Sequence, residues 1–276
     1  MLRRSQLYVP ANDERKIRKS VSLSADSIIF DLEDAVPQSE KSNARLQLQR
    51  LLRELDWGKR ELCVRVNKFA SGYSDEDFSL AKCEEKIRTI VLPKADDQVP
   101  KDLHLKTGKI LIPLIETARG LLRVENIARF EGVEALSYGP ADLAYSVGGR
   151  TEIYTQNLFV KTQIVMAASA YGVDSIDCVY FELSNLDGFR NEAIQSKSLG
   201  YAGKQVVHPA QAEIANTIYS PSEEEITEAR KIIETYEKSV ELKVGALRLD
   251  EKLVDAVHYR RAKALLEKAR ESSNPL

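Results

Sequence analysis

The sequence predicts an α/β protein, a (β/α)8 (TIM) barrel followed by a C-terminal helical extension. Three observations lead there. Eight apolar, β-branched runs recur between residues 6 and 208. Each is hydrophobic almost throughout rather than alternating, as in strands of a parallel sheet buried on both faces. Helix-period segments fill most of the intervals, as a strand–helix repeat requires, and the length suits a barrel near the lower end of the usual size. The structural alternative is an open doubly wound sheet. That fold usually carries a glycine-rich turn after its first strand, whereas YVPANDERK here has no glycine.

In chain order the predicted strands are QLYVP (6–10), SIIFDLE (27–33), ELCVRVN (61–67), IRTIVLPK (87–94), KILIPLIE (109–116), VEALSYG (133–139), DSIDCVYF (174–181) and AGKQVVH (202–208). Helical periodicity spans 40–55, 117–130, 156–172 and 187–200, with Gly172 and Gly200 where C-caps belong. Residues 1–219 are expected to form the catalytic barrel and 220–276 the extension. The extension opens with an amphipathic helix (220–240) whose Ser222 and Glu225 form a capping-box pattern. A hinge-like VGALRLDEK (244–252) and a second amphipathic helix (253–270) follow. A complete barrel has no need of these helices for its core, so they read as a lid, an oligomer arm, or both.

Bulk properties narrow the function. The chain has 276 residues, enough for a sizeable core. A net charge of -2 argues against nucleic-acid binding, and the one basic cluster, RKIRK, has no interleaved aromatic residues. No apolar run approaches a membrane span, and MLRRSQLYVP lacks the long apolar region of a secretory signal. Three scattered cysteines fit a reducing compartment. A cytoplasmic protein is expected.

Glu116 and Asp142 each sit just past a predicted strand, in KILIPLIET and VEALSYGPAD. Singly, each reads as a helix cap. Together, at the ends of neighbouring strands about 5 Å apart, their oxygens suit a hard divalent cation. FDLED adds Asp31, Glu33 and Asp34 at another strand end, with Glu33 or Asp34 placed to hold the cation's waters. Arg65, inside a buried strand, either pairs with Glu33 or Asp34 or grips a substrate carboxylate, and Lys94 in VLPKAD shares that ambiguity. Arg15, Lys16, Arg18 and Lys19 cluster after the first strand, either as a solvated helix face or as a patch for an anionic, phosphate-bearing ligand. His208 reads as a structural strand-end residue, and Asp255 as an ordinary helix-start acid.

With these residues in view, the chain resembles the citrate lyase β-chain and malyl-/citramalyl-CoA lyase family of the HpcH/HpaI aldolase superfamily. The likeness runs from near residue 2 to about residue 268. It is carried by RSQLYVPANDERKIRKS, IIFDLEDAV, CVRVN, IVLPKAD, LIETARGLL, YGPADLA, GYAGKQVVHPAQ and LVDAVHYRRA, in the family's order. Ala11 replaces a usual glycine, and Arg15 stands where lysine is frequent. The resemblance implies a TIM barrel whose C-terminal extension reaches a neighbouring subunit, usually in a trimer. It implies Mg²⁺ on Glu116 and Asp142, Arg65 on the keto-acid carboxylate, and Tyr8, Arg15 and Lys19 on the acyl-CoA. It also makes Asp255 the acid that completes the adjacent chain's site, a role nothing in the local pattern indicates. The implied activity is reversible cleavage of malyl-, citramalyl- or citryl-CoA to acetyl-CoA and an α-keto acid. Two alternatives remain: a citrate lyase subunit that docks an acyl-carrier protein, and an aldolase acting on free hydroxy-keto acids.

Overall fold

In the computed structural model all eight runs become strands and close, in sequence order, into one parallel barrel. They are β1 (Ser5–Pro10), β2 (Ser27–Asp31), β3 (Glu61–Arg65), β4 (Ile87–Leu92), β5 (Ile110–Ile115), β6 (Ala135–Tyr138), β7 (Asp174–Asp177) and β8 (Gly203–Val206). The helices are α1 (Glu14–Ser20), α2 (Lys41–Glu54), α3 (Ser74–Cys83), α4 (Leu103–Thr107), α5 (Ala118–Leu122), α6 (Val124–Ala128), α7 (Pro140–Ser146), α8 (Thr151–Thr155), α9 (Leu158–Ala170), α10 (Leu186–Leu199), α11 (Pro209–Tyr219), α12 (Glu223–Glu241) and α13 (Ala256–Ser273). The structure describes residues 1–96, 98–99, 102–241, 246–249 and 252–273. Among these, no helix is long and apolar enough to cross a membrane.

Register explains how the barrel separates its chemistry from its core. β2 and β3 pair Ser27 with Glu61, Ile29 with Cys63 and Asp31 with Arg65. Period-two alternation sends all three pairs to the same side of the sheet. The middle pair joins Val91, Ile112, Leu114, Ala135 and Ile176 in an apolar layer that fills the barrel. The polar pairs therefore lie at opposite ends, Glu61 at the strands' N-terminal end and Asp31 with Arg65 at the C-terminal end.

The N-terminal end is closed by a buried ion pair. Glu61 accepts from Ser27 Oγ and Thr89 Oγ1, each at 2.6 Å, and from Arg3 Nη2 at 2.9 Å. Arg3 also reaches Glu134 at 2.9 Å. Burial opposes the Glu61 charge, but Arg3 and the two hydroxyls outweigh it and hold the carboxyl below its usual range. Arg3→Ala strands that charge, at an expected cost of roughly 3–5 kcal/mol in urea unfolding. Because Glu61 is depressed in the fold, its contribution stands above the unfolded-state pKa and is lost as pH falls through the folded value. Stability of the wild type should therefore fall more steeply in acid than that of the variant.

Two compact units divide the chain: Met1 with Arg3–Thr217, and Leu2 with Ile218–Leu276. In the second, Ser222 N donates to Glu225 Oε2 at 2.8 Å and Glu225 N to Ser222 Oγ at 3.1 Å, a reciprocal capping box at the start of α12. Tyr236 of α12 packs on Tyr259 of α13 with ring centroids 4.7 Å apart. The hinge expected over 244–252 lies partly outside the described residues. Its described part is instead a two-stranded antiparallel ribbon, β9 (Leu247–Leu249) with β10 (Lys252–Val254). The helix expected over 117–130 also divides. Arg123, at φ -116° and ψ 9°, ends α5 and starts α6. No proline marks that break in the sequence, and the nearest glycine, Gly120, lies within α5.

Candidate active site

The C-terminal ends of β2 to β6 bring the predicted acids and cations together. Asp31, the last residue of β2, takes Arg65 in a two-point grip, Nε to Oδ1 at 2.8 Å and Nη2 to Oδ2 at 2.5 Å. Arg65 Nη1 faces Glu33 Oε2 at 3.3 Å, and the guanidinium lies 4.9 Å from the ring centroid of Tyr8. The expected pairing with Glu33 is present, but the principal partner is Asp31, which the sequence reading does not assign to Arg65. Burial opposes the Arg65 charge, and Asp31, Tyr8 and Glu33 more than offset it, so the guanidinium stays protonated.

The FDLED loop is pinned from below. Asp31 accepts from the amides of Glu33 (2.9 Å) and Ala35 (3.2 Å). Lys41 Nζ donates to the carbonyls of Leu32 and Glu33 at 2.8 and 2.9 Å, and Asn67 Nδ2 donates to Leu32 at 3.0 Å. The loop thus carries Glu33 inward, 6% exposed, and leaves Asp34 in solvent. Neither Lys41 nor Asn67 stands out in the sequence, since each acts on backbone oxygens that no side-chain pattern marks, 8 and 9 residues away for Lys41 and 35 for Asn67.

Lys94 is the junction of the cluster. Its backbone is left-handed, with φ 50°, unusual for a residue with a side chain. Its amide donates to Glu116 Oε2 at 2.7 Å. Its ammonium contacts Glu33 at 2.7 Å and both Asp34 and Asp142 at 3.6 Å. Of the two meanings the sequence left open for Lys94, pairing with the FDLED acids is the one present.

Glu116 does not cap α5. Thr117 is the N-cap, its side chain accepting from Gly120 N. Glu116 instead turns into the cluster, 3% exposed. Burial first, and the Glu33 charge second, push its carboxyl up to about 8, against the pull of Arg65 and Lys94. Asp142 lies in the first turn of α7, which Gly139 begins with no side-chain cap. Gly139 is needed for space: a Cβ there would fall 2.5 Å from Glu116 Oε1. Its φ of -108° suits any residue, so Gly139→Ala should fold normally yet displace Glu116. Cation affinity is expected to fall roughly 10–100-fold, as when a ligand's supporting contacts are lost, and titration with Mn²⁺ checks it.

These residues fit a divalent cation. Every donor is an oxygen, as hard cations prefer. Glu33 Oε2 is buried without a hydrogen bond. Among the described residues, five carboxylates (Asp31, Glu33, Asp34, Glu116, Asp142) stand against three cations (Lys41, Arg65, Lys94), a surplus of two negative charges when all are ionised. Asp177, Cys178 and Glu192 also bring three ligand-type atoms within 4.8 Å of one another. There, however, Lys204 Nζ binds Asp177 at 2.5 Å and Glu192 at 2.6 Å, with Lys161 a further 3.1 Å from Asp177. A lysine already holds the central position, and the group is a buried ion-pair network between β7, β8 and the helices α9 and α10.

Arg15 and Lys19 are exposed, one turn apart on α1, and no ion pair holds either among the described residues. Lys16 and Arg18 do not share that freedom, being paired with Asp13 and Glu14. Tyr8 meets Arg65. Ala11 is buried and outside the left-handed region, so the substitution of the usual glycine costs the turn nothing. His208 Nδ1 accepts from Ala210 N at 3.2 Å, a structural role at the start of α11. Asp255 belongs to the second unit. Its Oδ1 accepts from the amides of Val257 and His258 at 2.9 and 3.2 Å, capping α13, and lies 2.7 Å from His258 Nδ1. The His258 side chain foremost, then those amides, lower its pKa.

Comparison with known proteins gives this geometry a context. The family model described as HpcH/HpaI aldolase/citrate lyase matches residues 4–209, and one described as a C–C bond lyase of the TIM-barrel fold matches 153–271. The mitochondrial citramalyl-CoA lyase of Rattus norvegicus is 32% identical over 92% of this chain and 82% of its own length. A (3S)-malyl-CoA thioesterase of Cereibacter sphaeroides is 35% identical over 96% of this chain and 94% of its own. Among solved structures, the CitE protein of Mycobacterium tuberculosis in complex with magnesium, acetoacetate and coenzyme A superposes with TM-score 0.82 at 26% identity, covering 97% of this chain and 98% of that one.

Proposed function

The chain belongs to the HpcH/HpaI aldolase/citrate lyase family, and we propose on that basis that it is a Mg²⁺-dependent lyase. It cleaves a 3-hydroxyacyl-CoA of the malyl-, citramalyl- or citryl-CoA type, reversibly, to acetyl-CoA and an α-keto acid. The observation that carries this is the ring of Glu116, Asp142, Glu33, Lys94 and Arg65 at one end of the barrel.

Glu116 and Asp142 would hold the cation, with Glu33 and Asp34 beside them. When bound, it supplies Lewis acidity at the oxygen that changes from hydroxyl to keto. Arg65 neutralises the neighbouring carboxylate. Asp31 fixes the guanidinium from one edge and Tyr8 from one face, so the remaining N–H groups are pre-aimed. In cleavage the hydroxyl gives its proton to water and its oxygen becomes the keto oxygen as the C–C bond breaks, and the electron pair of that bond moves onto the thioester fragment. That enolate must gain a proton at carbon. Asp255 of a neighbouring copy is our candidate donor, and in the condensation direction the base that takes a proton from the acyl methyl. Its lowered pKa favours the ionised form that the second task needs. Arg15 and Lys19, free of ion pairs among the described residues, suit the phosphates of coenzyme A.

We further propose a homotrimer. Tyr145 (87% exposed), Ile153 (61%) and Phe159 (68%) on the consecutive helices α7, α8 and α9 support self-association. Three free cysteines support a reducing compartment such as the cytoplasm.

The test is a substrate panel. The purified chain, alone, is given malyl-, citramalyl- and citryl-CoA with Mg²⁺, and keto-acid release is followed. Release from at least one, abolished by EDTA, is the expected result. Turnover insensitive to EDTA would exclude the metal role. Activity only on an acyl-carrier-protein thioester, or only with added subunits, would make the chain part of a larger citrate lyase. Release of free coenzyme A without keto acid would indicate a thioesterase.

A further inference from the structure

Among the described residues, Lys94 is the one that reaches both proposed ligands, and it does so from opposite ends. Its amide holds Glu116 Oε2 at 2.7 Å while its ammonium lies 3.6 Å from Asp142 Oδ1 and 2.7 Å from Glu33 Oε1. The two contacts have opposite consequences for a divalent cation. A backbone N–H carries no net charge, so it can order the carboxylate without repelling an ion. The ammonium is a full positive charge among the same oxygens that the ion would use. The left-handed backbone at φ 50° is what allows both at once, because it turns the amide toward Glu116 while the side chain projects between the FDLED loop and α7.

We propose that Lys94 is a positioning residue that sets the cation affinity of the Glu116/Asp142 pair. Its amide orders Glu116, and its ammonium competes with the ion for Asp142 and Glu33. This rests on the ligand assignment under Proposed function and assigns Lys94 a role beyond it. The competition lowers affinity for the bare ion. A substrate whose carboxylate and hydroxyl oxygens join the ion's ligands would overcome it, so cation and substrate are bound more tightly together than the ion is alone.

The test measures Mn²⁺ alone, with no substrate, by the electron paramagnetic resonance signal of the free ion, on the full chain. Lys94→Met keeps the β-carbon and hence the same backbone demand while removing the charge. It should bind Mn²⁺ roughly tenfold more tightly than wild type, as expected for deleting one positive charge a few ångströms from the site. Lys94→Arg should return to near wild-type affinity. Lys94→Gln, measured in parallel, should match the Met variant and serves in its place if that variant melts below the assay temperature. Unchanged or weaker binding in both neutral variants would overturn the competition. Glu116→Gln is the reference: if it binds Mn²⁺ as wild type does, the ligand assignment itself is wrong and the Lys94 role falls with it. That outcome is separate from one in which wild type binds, Glu116→Gln does not, and Lys94→Met behaves as wild type.

Discussion

Glu116→Gln is expected to lose lyase activity by roughly a thousandfold or more, since Lewis-acid stabilisation is worth several kcal/mol of transition-state energy. It is also expected to be no less stable than wild type when both are kept in chelator. The second half follows from the sign of the pKa shift. In the fold burial pushes the Glu116 carboxyl up to about 8, with the Glu33 charge adding to it. In the unfolded chain it ionises near the usual carboxylate value of about 4.3. Between those values the unfolded state has released a proton that the folded state still holds, so wild-type stability declines as pH rises through that window. The glutamine amide of the variant imitates the neutral carboxyl and has no such decline. Melting temperatures of both proteins in EDTA from pH 5 to 8 should diverge in favour of the variant as pH rises. Adding Mg²⁺ should raise only the wild type. A variant that loses activity and stability together at every pH would assign Glu116 a structural role instead.

Asp255→Asn should reduce turnover roughly 100- to 10,000-fold, the range lost with a general acid or base, and leave the fold nearly untouched. Asn caps a helix about as well as Asp, and the contacts to the amides of Val257 and His258 need only an acceptor oxygen. Loss of rate without loss of melting temperature would therefore be chemical. The same variant tests whether the acid comes from a neighbouring chain. Co-assembled with Glu116→Gln, it should recover activity, because one chain contributes an intact Glu116 and the other an intact Asp255. Random mixing makes roughly one site in four complete. If Asp255 serves its own chain, no mixture of the two variants recovers anything.

How much of this was legible beforehand depended on the range of each interaction. The eight strands announced themselves because burial on both faces demands continuous apolar runs, and all eight formed. Their ends set Glu116 and Asp142 apart. Their competing role as helix caps was decided only by Thr117, which caps α5 in place of Glu116, and by Gly139, which starts α7 ahead of Asp142. The split between α5 and α6 is poorly marked in the sequence: Gly120 lies three residues before Arg123, but a lone glycine inside a helical pattern is tolerated. The ribbon β9–β10 escaped because two three-residue strands give periodicity too little length to register.

By itself the sequence determined the barrel class, the strand-end placement of Glu116 and Asp142 and, through ordered motifs, the family. These depend on burial periodicity and residue order, which are written along the chain. Tertiary structure decided who partners whom: Arg65 with Asp31, Lys41 and Asn67 beneath the FDLED loop, and Lys94 between Glu116 and Asp142. Such pairings join residues 8 to 61 positions apart. They form because barrel closure and strand register bring charges together in a buried space where each must find a counter-charge. No local pattern encodes that requirement. It exists only once the eight strands have closed.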